Sequence, residues 1–329
     1  MKRKKILKII FTVFAITFLG LYIFVSRKKP TTSFPPLKPQ IPSYIKGSLP
    51  IVFSLSEKDF SFPKTISILT FNIKRISKNE AQRIASKLGF AEEVQTFEDI
   101  NEGNKFFWKN QKYFLIITEK TGSVEYGLND SSLINSPNKQ ISDQGLINLA
   151  TDFLKDNFLF DDIKIKETRI LPLKVSPLNQ GFIETTKSQA TVHQINFSIG
   201  DAKNEILTID PSTPIMFVRV LPDGNMHSSE VVFLDNLSES DEKYEIKGYQ
   251  DVLNSVREIK LISLLNDYIN ISDLTLEDIT SISVDKIKLV YLLDSFSSKT
   301  LQPVFLLEGD VEVKNSSANR ALLYLPAIK

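Results

Sequence analysis

The chain has 329 residues, of which 40 are Lys or Arg, 39 are Asp or Glu, two are His and none is Cys. Without cysteine there is no disulfide framework and no thiolate nucleophile or metal ligand, and two histidines alone fall short of the ligand set a zinc centre takes. Eight basic residues and no acidic ones lie in residues 1–29, so residues 30–329 carry 32 basic and 39 acidic groups, a net of −7 that makes them a poor candidate for binding nucleic acid or an anionic surface through bulk charge.

In chain order, Lys2, Arg3, Lys4 and Lys5 lead into the uncharged run Ile9–Val25, which Ile6 and Leu7 extend to about 20 residues, enough to cross a hydrocarbon core of roughly 30 Å. This predicts a cytoplasmic tail over 1–5 and one transmembrane helix over 6–25. Lys8 adds a fifth positive charge on the near side, against Arg27, Lys28 and Lys29 beyond the span, which places the N-terminus in the cytoplasm and the rest of the chain outside. Phe24-Val-Ser-Arg27 lacks a small-x-small cleavage pattern, so the helix is expected to remain as a single-pass anchor in a bacterial-type cell membrane. Thr17 and Gly20 are the small residues through which that helix would approach another. Pro30, Pro35, Pro36, Pro39, Pro42 and Pro50 then mark 26–50 as a semi-rigid stalk.

Three α+β modules are expected to follow, at 51–135, 136–245 and 246–329. In the first, the alternation Thr65-Ile-Ser-Ile-Leu-Thr-Phe-Asn-Ile73 predicts a strand. Ser77 and Glu80 then form a capping box for a helix over 79–88 that Gly89 ends. Strands follow at 94–97, 105–108, 113–118 and 123–128. Ser142 caps a second helix carrying Leu146, Leu149, Ala150, Phe153 and Leu154, with strands at 163–175, 191–199, 204–209, 215–221 and 229–233. Asp223-Gly224 predicts the turn between the last two. The polar run Ser238-Glu-Ser-Asp-Glu-Lys243 reads as a boundary, after which a helix over 249–265 precedes strands at 279–293, 301–313 and 321–328. Three helix-and-sheet units in succession suggest an internal repeat.

Chemistry-bearing patterns are sparse. His193 and His227 fall in predicted strands with no carboxylate at ligand spacing, and no Gly-x-Ser-x-Gly elbow or glycine-rich phosphate loop occurs. The acidic pairs Glu92-Glu93, Glu98-Asp99, Asp161-Asp162 and Asp241-Glu242 sit at turns and strand ends, where solvated charge is ordinary. Phe106, Phe107, Trp108, Tyr113 and Phe114 form the densest aromatic cluster, a candidate recognition patch if one contiguous surface carries them.

Lys286-Ile-Lys-Leu-Val-Tyr291, Leu301-Gln-Pro-Val-Phe-Leu-Leu-Glu-Gly309 and Tyr324-Leu-Pro-Ala327 resemble the closing sheet of the YycH/YycI-type membrane proteins, and the helix-plus-hairpin unit looks like the broader PepSY-like modules. The resemblance implies an extracytoplasmic α+β protein of repeated modules that restrains a membrane partner, in that group a sensor histidine kinase, through its membrane helix. The expected function is therefore a non-enzymatic regulatory or interaction protein with no cofactor or metal, acting on another membrane or envelope protein. A peptidoglycan- or glycan-binding module is the alternative, and a hydrolase using two carboxylates comes third. The sequence leaves the oligomeric state open.

Overall fold

A computed structural model describes residues 38–129, 141–158, 165–175, 181–199, 205–211, 214–265, 271–295, 299–314 and 319–329. The first part of the chain supplies strands β1 (Ile51–Phe53) and β2 (Thr65–Ile73), helix α1 (Lys78–Lys87), and strands β3 (Gln95–Asp99), β4 (Gly103–Lys109), β5 (Tyr113–Thr118) and β6 (Ser123–Leu128). Helix α2 (Asp143–Asn157) precedes β7 (Ile165–Val175), β8 (Phe182–Glu184), β9 (Val192–Ile199), β10 (Ile206–Thr208), β11 (Met216–Val220), β12 (Met226–Val232) and β13 (Leu234–Glu245). Last come the short helix α3 (Tyr249–Asn254) and strands β14 (Lys260–Leu264), β15 (Ile279–Leu293), β16 (Thr300–Val313) and β17 (Asn319–Pro326).

The local signals act where they stand. Glu80 N–H donates to Ser77 Oγ, and Glu80 Oε2 accepts from the Ser77 backbone N–H at 2.9 Å, so the capping box closes the start of α1. Gly89 follows at φ +82°, a left-handed stop. Ser142 Oγ accepts from Gly145 N–H at the start of α2, which buries Leu146, Ala150 and Leu154.

The expected repeat of helix-plus-sheet modules is not what these elements build. Strands from all parts of the chain join two large sheets. One is ordered β3-β4-β5-β6-β12-β11-β9-β7-β8 and antiparallel throughout; the other is mixed, centred on β15-β16-β17, with β1 and β10 parallel to β15. Strand β2 pairs with β13 and β16, and β6 pairs with β12, so pairings run across every expected module boundary. A strand's period reports which face is buried, whereas its partner is set by long-range packing, and that is why repetition along the chain did not become repetition in space. The boundary run Ser238–Lys243 lies inside the twelve-residue strand β13, paired with β2 at Ser238, Glu239 and Lys243 around a register irregularity and largely exposed. The expected helix over 249–265 stops at Asn254, and Lys260–Leu264 pairs with β17 instead.

The expected anchoring is corrected as well. Among the described residues no helix is long and apolar enough to cross a membrane. The segment read as a span, with Thr17 and Gly20, lies outside the described residues, so single-pass anchoring and an extracytoplasmic location do not enter the functional argument below.

Helices α1 and α2 lie against one face of the nine-stranded sheet, where α1 touches β4 and α2 touches β9 and β11. Trp108, Leu115, Ile117, Val124, Ile195, Phe197 and Val218 fill that helix-facing side and continue into the main core. The two sheets join where β12 runs almost directly into β13. There Phe233 accepts from Lys74 N–H at 3.0 Å and donates to Gly122 O at 3.2 Å. Gly122, at φ +60°, leaves no room for a side chain, because a Cβ would stand 2.3 Å from Lys74 O.

Candidate functional site

The far side of the nine-stranded sheet carries the least ordinary chemistry. Register fixes what shares it, since residues directly opposite across an antiparallel pair point the same way. Gln194 lies opposite Arg219, which lies opposite Ser228; Asn196 lies opposite Phe217, which lies opposite Glu230, and Glu230 lies opposite Glu125. All eight residues of β9 are buried, so the polar Gln194, Asn196 and Ser198 are covered rather than solvated.

The cover includes the sheet's own edge. Phe182 belongs to the outermost strand, β8, yet its ring lies 4.6 Å from the Arg219 guanidinium and 5.2 Å, edge to face, from the His227 imidazole. Those partners are three and four strands inward, so the β7–β8 hairpin curls back over the face. A small apolar cluster of Leu128, Leu173, Val192 and Leu221, with Leu171 and Phe182 against it, fills the space beneath.

Arg219 is the centre of the arrangement. Phe217 approaches it at 4.5 Å, so two rings flank the guanidinium, and its Nε donates to Gln194 Oε1 at 2.9 Å. Gln194 Nε2 donates in turn to Asn196 Oδ1 at 2.9 Å, which fixes the amide that orients the arginine. Among the described residues neither Nη group of Arg219 has a hydrogen-bond or ion-pair partner. Burial pushes its pKa down to about 10, which leaves it cationic at neutral pH.

His227 enters through a local irregularity. The register of β11 and β12 shifts between Arg219 and Val220, which leaves His227 as the extra, bulged residue beside Ser228. Its Nδ1 and Ser228 Oγ are 2.9 Å apart, and its buried Nε2 has no partner among the described residues. Burial first, then the Arg219 charge, pushes the imidazole down to about 4. Glu230 is raised by burial and by the Glu125 carboxylate opposite; Glu125 is raised by burial, against an opposing pull from Lys105.

The residues singled out from the sequence are distributed differently. Phe106, Trp108 and Tyr113 point to the helix side, with Phe106 and Trp108 buried, while Phe107 lies on the far side opposite Ile116. The five aromatics therefore do not form one surface. His193 is buried opposite Val220, on the other side of the sheet from Gln194, and its pKa is lowered chiefly by burial. Asp161 and Asp162 lie outside the described residues, and the remaining acidic pairs stay at turns or exposed strand positions. Among the described residues no cluster of three or more metal-ligating side chains occurs. A separate open groove of about 630 Å³ lies between the ends of the two sheets, lined by Arg75, Lys120, Asp210 and Asp294 among others. Sequence reasoning passed over Arg219 altogether. The available signal was a lone cation within Met216-Phe-Val-Arg-Val220, an otherwise apolar strand.

No family model matches the chain, and no curated protein matches it. Among solved structures, an uncharacterized protein from Eubacterium rectale is similar, with a TM-score of 0.50, 13% identity, and coverage of 82% of this chain and 86% of that one. At that identity the likeness concerns the fold alone. None of these comparisons lends support to the YycH/YycI-type resemblance.

Proposed function

We propose that this chain is a non-enzymatic binding protein that holds its ligand or partner on the curled far face of the nine-stranded sheet. The observation that carries this reading is the Arg219 guanidinium, held by Gln194 and two phenylalanines with its Nη groups unfilled. Its Nη groups stay open to solvent, and a site that orients a cation in advance lowers the cost of binding. This keeps the interaction role expected from the sequence and moves it from a membrane helix to a sheet face. Nothing in the site favours a sensor kinase over any other partner.

A screen of the full chain by thermal shift against small anions, cations and neutral sugars tests the reading. Stabilisation by one chemical class, lost on substitution at this face, is the expected result. Indifference to every class would overturn it.

The 2.9 Å contact between Ser228 and His227 favours one second reading, acyl transfer with Ser228 as nucleophile. An imidazole pushed down to about 4 is a weak base, and its Nε2 lacks the carboxylate that orients a triad histidine among the described residues. Hydrolysis of p-nitrophenyl esters that disappears in Ser228→Ala would establish this reading in place of the first.

A further inference from the structure

The guanidinium of arginine offers five N–H donors along two useful edges, a side edge containing Nε and an end edge containing both Nη groups. In Arg219 the side edge is spent on Gln194, and the ring faces of Phe182 and Phe217 occupy the space next to its plane. What remains is four Nη N–H donors, two of which, one from each nitrogen, form the end edge, whose geometric match is a planar pair of oxygens.

We infer that Arg219 recognises a monoanionic carboxylate, taken end-on by its two Nη groups, on a small organic acid or at the terminus of a peptide. This rests on the binding role proposed above and adds the chemical class.

The negative residues nearby decide between anions. Glu230 sits diagonally from Arg219 on the same face, one strand away, and Glu125 is directly opposite Glu230. Neither carboxylate forms an ion pair with Arg219, although the Glu230 charge favours its cationic form, and neither has a hydrogen-bond partner among the described residues. A phosphate dianion entering beside these two carboxylates meets more repulsion than a carboxylate does, while a ligand with an amino group near its acid would gain from them. The buried, unpartnered Nε2 of His227 is a further polar atom in the same layer, joined to the site through the Phe182 ring that contacts both residues. The phenylalanines make an apolar or aromatic body next to the acid favourable.

The test is titration calorimetry on the full chain with benzoate, acetate, inorganic phosphate and a short peptide in free-acid and amidated forms. It is repeated with Arg219→Lys, which keeps the charge but lacks the fork, and Arg219→Gln. Binding of benzoate or of the free-acid peptide, weakened about ten- to hundredfold in both variants, is the expected result. Preference for benzoate indicates a small-acid ligand, and preference for the free-acid peptide over its amide indicates a peptide end; either supports the proposal. Because a variant can fail to fold, side-chain ¹⁵N resonances of Arg219 in the unsubstituted chain give an independent readout, and a shift of the Nη signals on adding benzoate is expected. Phosphate binding as tight as the carboxylates, or no binding by any carboxylate in the millimolar range, would overturn the proposal. A neutral or cationic ligand that binds this face regardless of the Arg219 substitutions would overturn the carboxylate assignment and leave the binding role standing.

Discussion

Phe182 stands on the outermost strand of the nine-stranded sheet, yet its ring lies 4.6 Å from the guanidinium of Arg219, three strands inward. That single contact ties the edge hairpin to the middle of the far face. It converts an open sheet surface into a covered layer, with Gln194, Asn196 and Arg219 beneath and a small apolar cluster beside them. Replacing Phe182 by Ala removes the ring contact with the Arg219 guanidinium and the edge-to-face contact with His227. The expected cost is about 2 kcal/mol, less than for a fully buried ring because Phe182 is half-buried. Urea unfolding with an unchanged m-value checks it, and amide exchange in β8 should quicken at the same time.

His227 makes stability depend on pH in a defined window. Its folded-state value of about 4 lies below the ordinary 6.5, so the unfolded chain binds the proton more readily. The contribution of His227 is then intact above pH 6.5, falls as the solution is acidified, and is fully lost below about 4. The shift corresponds to a loss on the order of 3 kcal/mol across the window. His193 is lowered too, so the informative comparison is His227→Gln with His193 intact. The unfolding free energy of that variant should vary less between pH 6.5 and 4 than that of the parent chain.

Two glycines with similar backbone angles should respond differently to alanine. Gly89, at φ +82°, has nothing within 4 Å of where a Cβ would stand, so Gly89→Ala should cost only the left-handed conformation, about 1 kcal/mol. Gly122, at φ +60°, would set a Cβ 2.3 Å from Lys74 O, at the junction of the two sheets. Gly122→Ala therefore adds displacement of paired backbone to the same strain, and a cost of at least about 3 kcal/mol is expected. Thermal unfolding of the two variants side by side separates these contributions.

The chain has one tryptophan, and Trp108 is 1% exposed on the helix side of β4. Its emission should be blue-shifted in the folded protein and resist acrylamide quenching, then move red in a single step with denaturant. Ready quenching in the native state would restore the aromatic cluster as a surface feature.

The sequence was a good guide to elements and a poor one to their company. The alternation in Thr65–Ile73 and the capping box at Ser77 and Glu80 are written in short-range physics, and both appear at their expected places. The pairing of β2 with β13 is not, because it joins residues more than 150 positions apart and turns on which surfaces need cover. Ser238–Lys243 misled for a related reason. Six polar residues look like a linker, but a strand held to β2 at Ser238, Glu239 and Lys243 can keep exposed side chains along and between those pairs. The site was hidden by the same blindness. Gln194 and Asn196 alternate with Ile195 and Phe197 as in a strand with one polar face, and nothing in that spacing shows that all eight residues of β9 are buried.

Carboxylate binding at this face requires Arg219 to present an unfilled, pre-oriented fork, and the ¹⁵N resonances of its side chain during benzoate titration test this most directly. A saturable shift confined to the Nη signals, with Nε little changed because Gln194 still holds it, is the predicted result. Nη signals that stay fixed at saturating benzoate, in a chain that remains folded, would rule out recognition by Arg219.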